Sequence, residues 1–232
     1  MSKIKIFNNQ TKNNIALLND PNLKKIYRRN NFSGKLIFIK NNPIKFKDIQ
    51  NRYLQLGANT NNVKFAYFIT KLFKISKNNF LRSLKSFKGL SHRHEFFLKY
   101  GGNMFINDSK ATSFESTKYA LKSNDNIVWI TGGQPKKNDK ININQFRKKI
   151  IKAYIIGNHT NFFVKKIRNK IKYEVTKNLK VTVNKIFRFI KKKQKLIILF
   201  SPASASYDQF KNFVERGEKF KSLVKYNAKK FN

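Results

Sequence analysis

Six consecutive residues, Asn107-Asp108-Ser109-Lys110-Ala111-Thr112, set a carboxylate, an ammonium and two hydroxyls between a short apolar run and a helix-like stretch. A helix N-terminus presents free amides, and with hydroxyls and a lysine beside them it suits a phosphate or another anion. Alone, the loop reads equally as an ordinary turn that caps a helix. A second loop, Gly132-Gly133-Gln134-Pro135-Lys136-Lys137-Asn138-Asp139, follows another apolar run. Paired glycines allow close backbone approach, and Lys136 can hold a carboxylate as a point charge. Gly-Gly after a strand also often just turns the chain. The third loop runs from Ser201-Pro202-Ala203-Ser204-Ala205-Ser206-Tyr207-Asp208 through Phe210 and Phe213 to Glu215-Arg216-Gly217. Ser206 stands where a helix N-cap would, and Phe210 is expected in the core. The fourth, Gly89-Leu90-Ser91-His92-Arg93-His94-Glu95, offers the forked donors of Arg93 to a nucleotide phosphate, or is a hinge with solvated charges. His92 and His94 suggest a metal, but the remaining histidine is His159 and no ligand spacing emerges.

The elements around these loops are legible as alternation. Asn103–Ile106, Ile127–Thr131, Ala153–Gly157 and Leu196–Phe200 read as buried parallel strands, with Tyr173–Val175 weaker. Ser113–Ser123, Ile143–Ile151, Asn161–Asn169, Leu179–Lys192 and Asp208–Tyr226 read as helices, and Thr112 with Glu115 as a capping box. The fold class is α/β, a doubly wound sheet that places ligand loops at strand carboxyl ends. The stretch 1–88 reads as a separate piece, with strands at Lys3–Phe7 and Lys35–Ile39 and helices at Asn61–Leu72 and Asn79–Phe87. The second domain is expected over 89–232.

Composition sets bounds. The chain has 232 residues, 51 Lys+Arg against 11 Asp+Glu, and no cysteine, so disulfides and thiolate metal sites are excluded. The net charge of +40 suggests nucleic acid or an anionic membrane as partner. The lysines are spread from Lys3 to Lys230, however, and Lys, Asn, Ile and Phe are all abundant, as A/T-rich codons would produce. No specific nucleic-acid partner is therefore expected. The longest apolar runs, Phe65–Ile69 and Leu196–Phe200, fall well short of the roughly 20 residues of a membrane span. Met1–Thr11 lacks the apolar core of a signal peptide, so a cytoplasmic, non-membrane location is expected.

Taken together the loops become specific. Asn-Asp-Ser-Lys-Ala-Thr, Gly-Leu-x-His-Arg, Gly-Gly-x-x-Lys and Ser-Pro-Ala-x-Ala-Ser-x-Asp-x-Phe-Lys-Asn-Phe-x-x-Arg-Gly resemble motifs of the Mur ligase family, in the family's order. The last is similar to the form in the D-glutamate-adding member. Ile6-Phe7-x-Asn9-Gln10 and Leu18-Asn19-Asp20-Pro21 resemble the later part of the family's central ATPase domain. The resemblance implies a Rossmann-like C-terminal domain after the tail of a P-loop-type domain. It implies ATP-dependent amide formation: ATP phosphorylates the carboxylate of UDP-N-acetylmuramoyl-L-alanine, the D-glutamate amine attacks the acyl phosphate, and phosphate leaves.

Site residues follow from the same resemblance. Asn59 and Asn62 match adenine-contacting positions, with Ala58 where the family motif has histidine, and Arg93 matches an ATP-contacting arginine. Asp108, Lys110 and Thr112 match the loop near the phosphates and the incoming amino acid. Lys136, Ser206, Tyr207 and Phe213 match D-glutamate-contacting positions, and Lys3 matches the lysine that is carbamylated to hold Mg2+. Gln134 and Pro135 replace the usual acidic residue, and Ser204 a cysteine. No Gly-x-x-x-x-Gly-Lys-[Ser/Thr] occurs, so the isolated chain is expected to be an inactive, monomeric, N-terminally truncated ligase. Rival expectations are a non-catalytic binding module derived from a ligase and a basic nucleic-acid-binding protein.

Overall fold

The computed structural model describes residues 2–51, 53–55, 57–190 and 195–231, with the side chains of Ser2, Lys3, Phe46 and Ala58 left out. The chain divides into two compact units, Met1–Phe87 and Lys88–Asn232.

In the first unit, β1 (Ile15–Leu18) and β2 (Lys35–Phe38) pair in parallel around α1 (Pro21–Arg29). Asp20 caps α1 through the amides of Asn22 and Leu23, and Pro21 supplies a preset first turn. The helices α2 (Thr60–Leu72) and α3 (Lys77–Lys85) enclose a small core of Ile44, Ile49, Leu54, Val63 and Phe80. The strand expected at Lys3–Phe7 is instead a 3-10 helix, Ser2–Asn9. Ile4, Phe7 and Gln10 turn inward at a period of three, and Phe7 packs its ring on Tyr27 and Phe32.

The second unit is a six-stranded sheet in the order β3-β4-β8-β5-β6-β7. Its strands are β3 (Glu95–Tyr100), β4 (Asn103–Asn107), β5 (Ile127–Gly132), β6 (Ile150–Ile156), β7 (Tyr173–Lys177) and β8 (Ile197–Phe200). All pairs are parallel except the hairpin of β3 with β4, in which Glu95 stands opposite Asn107. Successive side chains alternate between two cores. Ile106, Trp129, Ile155 and Leu199 face α4 (Phe114–Lys122) and α5 (Thr160–Ile167). Phe105, Ile130, Ile156, Ile198 and Phe200 face α6 (Leu179–Phe189) and α7 (Phe213–Lys230). This period-2 split is why the strands are apolar throughout.

The topology makes the site. The chain winds from β4 through β5 and β6 to β7, and α6 then carries it back on the other face to insert β8 between β4 and β5. The segment leaving β4 therefore turns to one face and the segment leaving β8 to the other. Such a switch point opens a crevice beyond the strand carboxyl ends.

Four local expectations are corrected. Ile143–Ile151 is not a helix: a short 3-10 turn at Asn144–Phe146 leads into β6, because Ile143, Phe146 and Ile150 all enter the α4–α5 core. The cap of α4 is Ser113, which accepts from the Ser116 amide, and Glu115 pairs with Lys118 instead of closing a box with Thr112. Residues 208–212 precede α7, whose cap is Asn212, and the Ser206 carbonyl closes a separate turn with the amides of Gln209 and Phe210. Glu95–Tyr100 is a strand that the sequence pattern left unmarked.

The two-sided core of the second unit greatly exceeds the small clusters of the first. Brief proteolysis is expected to cut near 87–91 and leave a resistant fragment beginning between Lys88 and Ser91, read by mass spectrometry. Uniform protection of the whole chain would contradict this partition.

Candidate active site

Three loops meet at the switch point. Asp108 directly follows β4 and is 8% exposed. Its amide donates to the Phe200 carbonyl at 2.8 Å, and its carboxylate accepts from Ser201 Oγ at 2.7 Å and from the His94 amide at 3.0 Å. Ser201 Oγ also reaches Thr117 Oγ1 at 2.9 Å, so the hydroxyl that follows β8 is locked between the β4 loop and α4. The Lys110 amide donates to the His92 carbonyl, and the Lys110 ammonium lies 4.8 Å from the Phe213 ring centroid. That contact joins two sequence-expected residues, 103 positions apart, in a cation–π pair.

The Gly132–Asp139 loop is zipped to the segment after β8. Gln134 and Ala205 exchange both backbone hydrogen bonds, and Ser204 Oγ donates to the Gly132 carbonyl. Gly133 has φ +125, and a Cβ there would come within 2.4 Å of the Ala205 carbonyl oxygen, so only glycine permits the closure. The Lys136 amide is held by the Asp139 carboxylate, which leaves the exposed Lys136 side chain at the loop tip. Ser206 is buried, Tyr207 is 72% exposed, and Thr112 and Phe213 are half-buried. The site positions of the second unit thus gather along one sheet edge.

Arg93 projects from a turn with its side chain exposed. The flanking His92 and His94 both take the left-handed conformation, with φ 62 and 47. The turn is pinned on both sides. Glu95 accepts from the His92 amide and from Asn107 Nδ2, and Lys221 on α7 bridges Glu95 and Glu218. Burial works against the Glu95 charge, but the His92 amide and the Lys221 ammonium outweigh it and hold its carboxyl below the usual range. The His92 ring is 4% exposed, and a Cβ on Gly217 would meet its Nδ1 at 2.3 Å.

Asn59 and Asn62 lie in the first unit at the start of α2. Asn59 donates to the Tyr53 carbonyl and accepts from Asn62, so both side chains already carry local bonds. The side chains of Lys3 and Ala58 fall outside the described residues. Among the described residues no cluster of three or more His, Asp or Glu could hold a metal, and no helix is long and apolar enough to cross a membrane.

The chain is 40% identical over 168 residues to a protein named UDP-N-acetylmuramoylalanine–D-glutamate ligase of Wolbachia sp. subsp. Brugia malayi (strain TRS), covering 72% of this chain and 34% of that one. To the protein of the same name from Rickettsia felis it is 34% identical over 189 residues, covering 81% and 42%. Over the matched residues the chain is similar to these ligases. It spans about a third to two fifths of the length of these curated relatives. No family model matches it. In fold, the chain is similar to the MurF ligase of Thermotoga maritima in complex with ADP, with TM-score 0.65 and 14% identity, covering 99% of this chain and 57% of that one. It is also similar to MurF from Acinetobacter baumannii, with TM-score 0.69 and 12% identity, covering 96% and 54%.

Thr117 was not singled out in the sequence, and the contacts made by the loop residues Asn107, Ser201 and His94 were not legible there. Ser201, Thr117, Asn107 and the His94 amide matter through partners 12 to 93 residues away, a reach that spacing does not reveal.

Two groups at this sheet edge, buried Asp108 and half-buried His94, titrate in opposite senses. Burial raises the Asp108 carboxyl to about 7, partly offset by the Ser201 hydroxyl, the His94 amide and the Arg93 charge. Burial lowers His94 to about 4. A raised acid contributes stability fully present below about 4 and lost as pH rises through about 7; a lowered histidine contributes stability lost as pH falls from about 6.5 towards 4. Over that shared window the two slopes oppose. On acidification from pH 6.5 to 4.5, Asp108→Asn is expected to lose at least about 1 kcal/mol more stability than wild type, measured by urea unfolding. Parallel profiles for the two proteins would contradict the assignment.

Proposed function

We propose that the crevice at the carboxyl ends of β4, β5 and β8 receives D-glutamate and presents its amine to the acyl phosphate of UDP-N-acetylmuramoyl-L-alanine, formed at the expense of ATP. The observation that supports this most is convergence. The Asp108–Thr112, Gly132–Lys136 and Ser201–Phe213 segments resemble separate motifs of the Mur ligase family, the last in the form of its D-glutamate-adding member, and direct hydrogen bonds join them at one sheet edge.

In this reading Lys136, with the backbone around Ser206, Tyr207 and Phe213, holds the carboxylates of the amino acid. Lys110, Thr112 and the free amides at the start of α4 face developing phosphate charge, where aligned N–H groups and an ammonium are most effective. Asp108 stays fixed between Ser201 and His94 and keeps the loop in register. Arg93 meets the nucleotide phosphates, and Asn59 and Asn62 the adenine. The remaining chemistry is positioning: the neutral amine attacks the acyl carbon, the C–O bond to phosphate breaks, and the amine proton departs. Arg93 and Lys110 fit an anionic nucleotide. The described residues do not by themselves make a magnesium site, so no step is assigned through the ion; a carbamylated Lys3 would be its one ligand here. The same reading makes the chain a cytoplasmic monomer, with the domain 1–88 as the later portion of the ATPase domain.

Titration of the 15N-labelled chain with D-glutamate and L-glutamate tests this. D-Glutamate is expected to shift the amides of Lys136, Ser206 and Phe213 at millimolar concentration, with L-glutamate at least about tenfold weaker. Lys136→Ala should weaken D-glutamate binding by roughly tenfold or more. Equal response to both enantiomers, or shifts confined to other surfaces, would overturn the proposal.

A further inference from the structure

Arg216 is 1% exposed, the largest charged side chain sealed inside the second unit. It sits in the first turn of α7, and its guanidinium lies 6.0 Å from the Phe200 ring centroid. Nε donates to Ser109 Oγ at 3.1 Å, and Nη2 donates to the Ser109 carbonyl at 2.8 Å and to the Ser204 carbonyl at 3.1 Å. Ser109 Oγ in turn donates to the Phe213 carbonyl at 2.8 Å. Nη1 has no hydrogen-bond partner among the described residues, and a Cβ on Gly133 would stand 3.2 Å from it. One side chain therefore touches the segments that follow β4, β5 and β8.

We propose that Arg216 is a positioning residue: its guanidinium fork sets the spacing between the phosphate-side loop at Ser109 and the carboxylate-side loops at Gly133 and Ser204. This rests on the acceptor-site reading above.

The argument is one of chemistry and cost. A buried charge is expensive, and an apolar side chain of similar volume usually serves a core as well or better. Burial pushes this guanidinium down to about 10, with the Asp208 charge opposing that shift. What an apolar residue cannot do is bind two carbonyls from different loops while fixing a hydroxyl that holds a third segment. A lysine keeps the charge but has a single donor centre on a flexible stem, and loses the planar fork that meets Ser109 and Ser204 together. Asp208 extends the clamp across the sheet. Its carboxylate accepts from the Asn158 amide at 2.9 Å, and the Asn158 side chain donates to the Asp208 carbonyl, so the turn after β6 is tied to the same rim.

The test compares the full chain with Arg216→Lys, Arg216→Met and Ser109→Ala, by amide hydrogen exchange and by D-glutamate titration. In Arg216→Lys, exchange is expected to rise at least about tenfold over 109–112, 132–136 and 203–207 while β5 and β6 keep their protection. D-Glutamate affinity should fall roughly tenfold or more, and Ser109→Ala should reproduce a smaller part of both effects. Unchanged loop exchange in Arg216→Lys would overturn the proposal, and so would exchange raised equally through β5 and β6, the mark of a core residue only. If wild type shows no response to D-glutamate, the acceptor-site reading fails, and loop exchange alone then decides the role of Arg216. If Arg216→Met does not fold, the lysine and Ser109 variants still decide it.

Discussion

The hydrogen bond from Ser201 Oγ to the Asp108 carboxylate, 2.7 Å long and sealed from water, joins the two strands between which the chain reverses its winding. Everything at the sheet edge depends on that junction. Asp108 also receives the His94 amide, which fixes the turn that carries Arg93, and its own amide extends the β4–β8 ladder by one bond. With β4 and β8 fastened there, the segments that follow them diverge to opposite faces and leave a crevice. Gly132 and Gly133 then let the β5 loop close against Ser204 and Ala205. A buried hydrogen bond to a charged or partly charged group is costly to break once both partners are out of water, so the junction specifies one arrangement of the rim and not a family of them.

The central strands of the second unit were legible because each buries both faces and so reads as a continuous apolar run, as in Ile127–Gly132. The loops that follow them were legible as unusual mixtures of small, hydroxylated and basic residues. Where the pattern misled, a specific competitor prevailed. Ile143 and Phe146 have helical spacing but are drawn into the core from a 3-10 turn. Ser113 outcompetes Thr112 as a cap, and Asn212 begins α7 after residues that continue the loop. β3 was invisible because Glu95 and Lys99 interrupt its apolar character, as an edge strand with one exposed side permits. Arg216 in Glu-Arg-Gly was marked only as part of the third loop, and the folded chain reveals its burial.

The charge acquires a structural reading. Glu95, Glu115, Asp125, Glu174 and Glu218 of the second unit are all engaged in ion pairs with lysines, as is Asp48 of the first. Most of the 51 basic residues have no acidic partner to meet, since the chain holds only 11 acids. The resulting field is spread over the surface and carries no address, but it would favour the approach of small anionic ligands to an open sheet edge.

The most direct measurement grafts residues 88–232 in place of the matching segment of a full-length D-glutamate-adding ligase and follows phosphate release. The account predicts turnover that requires D-glutamate, with Lys136→Ala raising KM for D-glutamate at least about tenfold while KM for ATP moves by less than about threefold. A folded, nucleotide-binding chimaera with no D-glutamate dependence, or with equal effects of Lys136→Ala on both KM values, would contradict it.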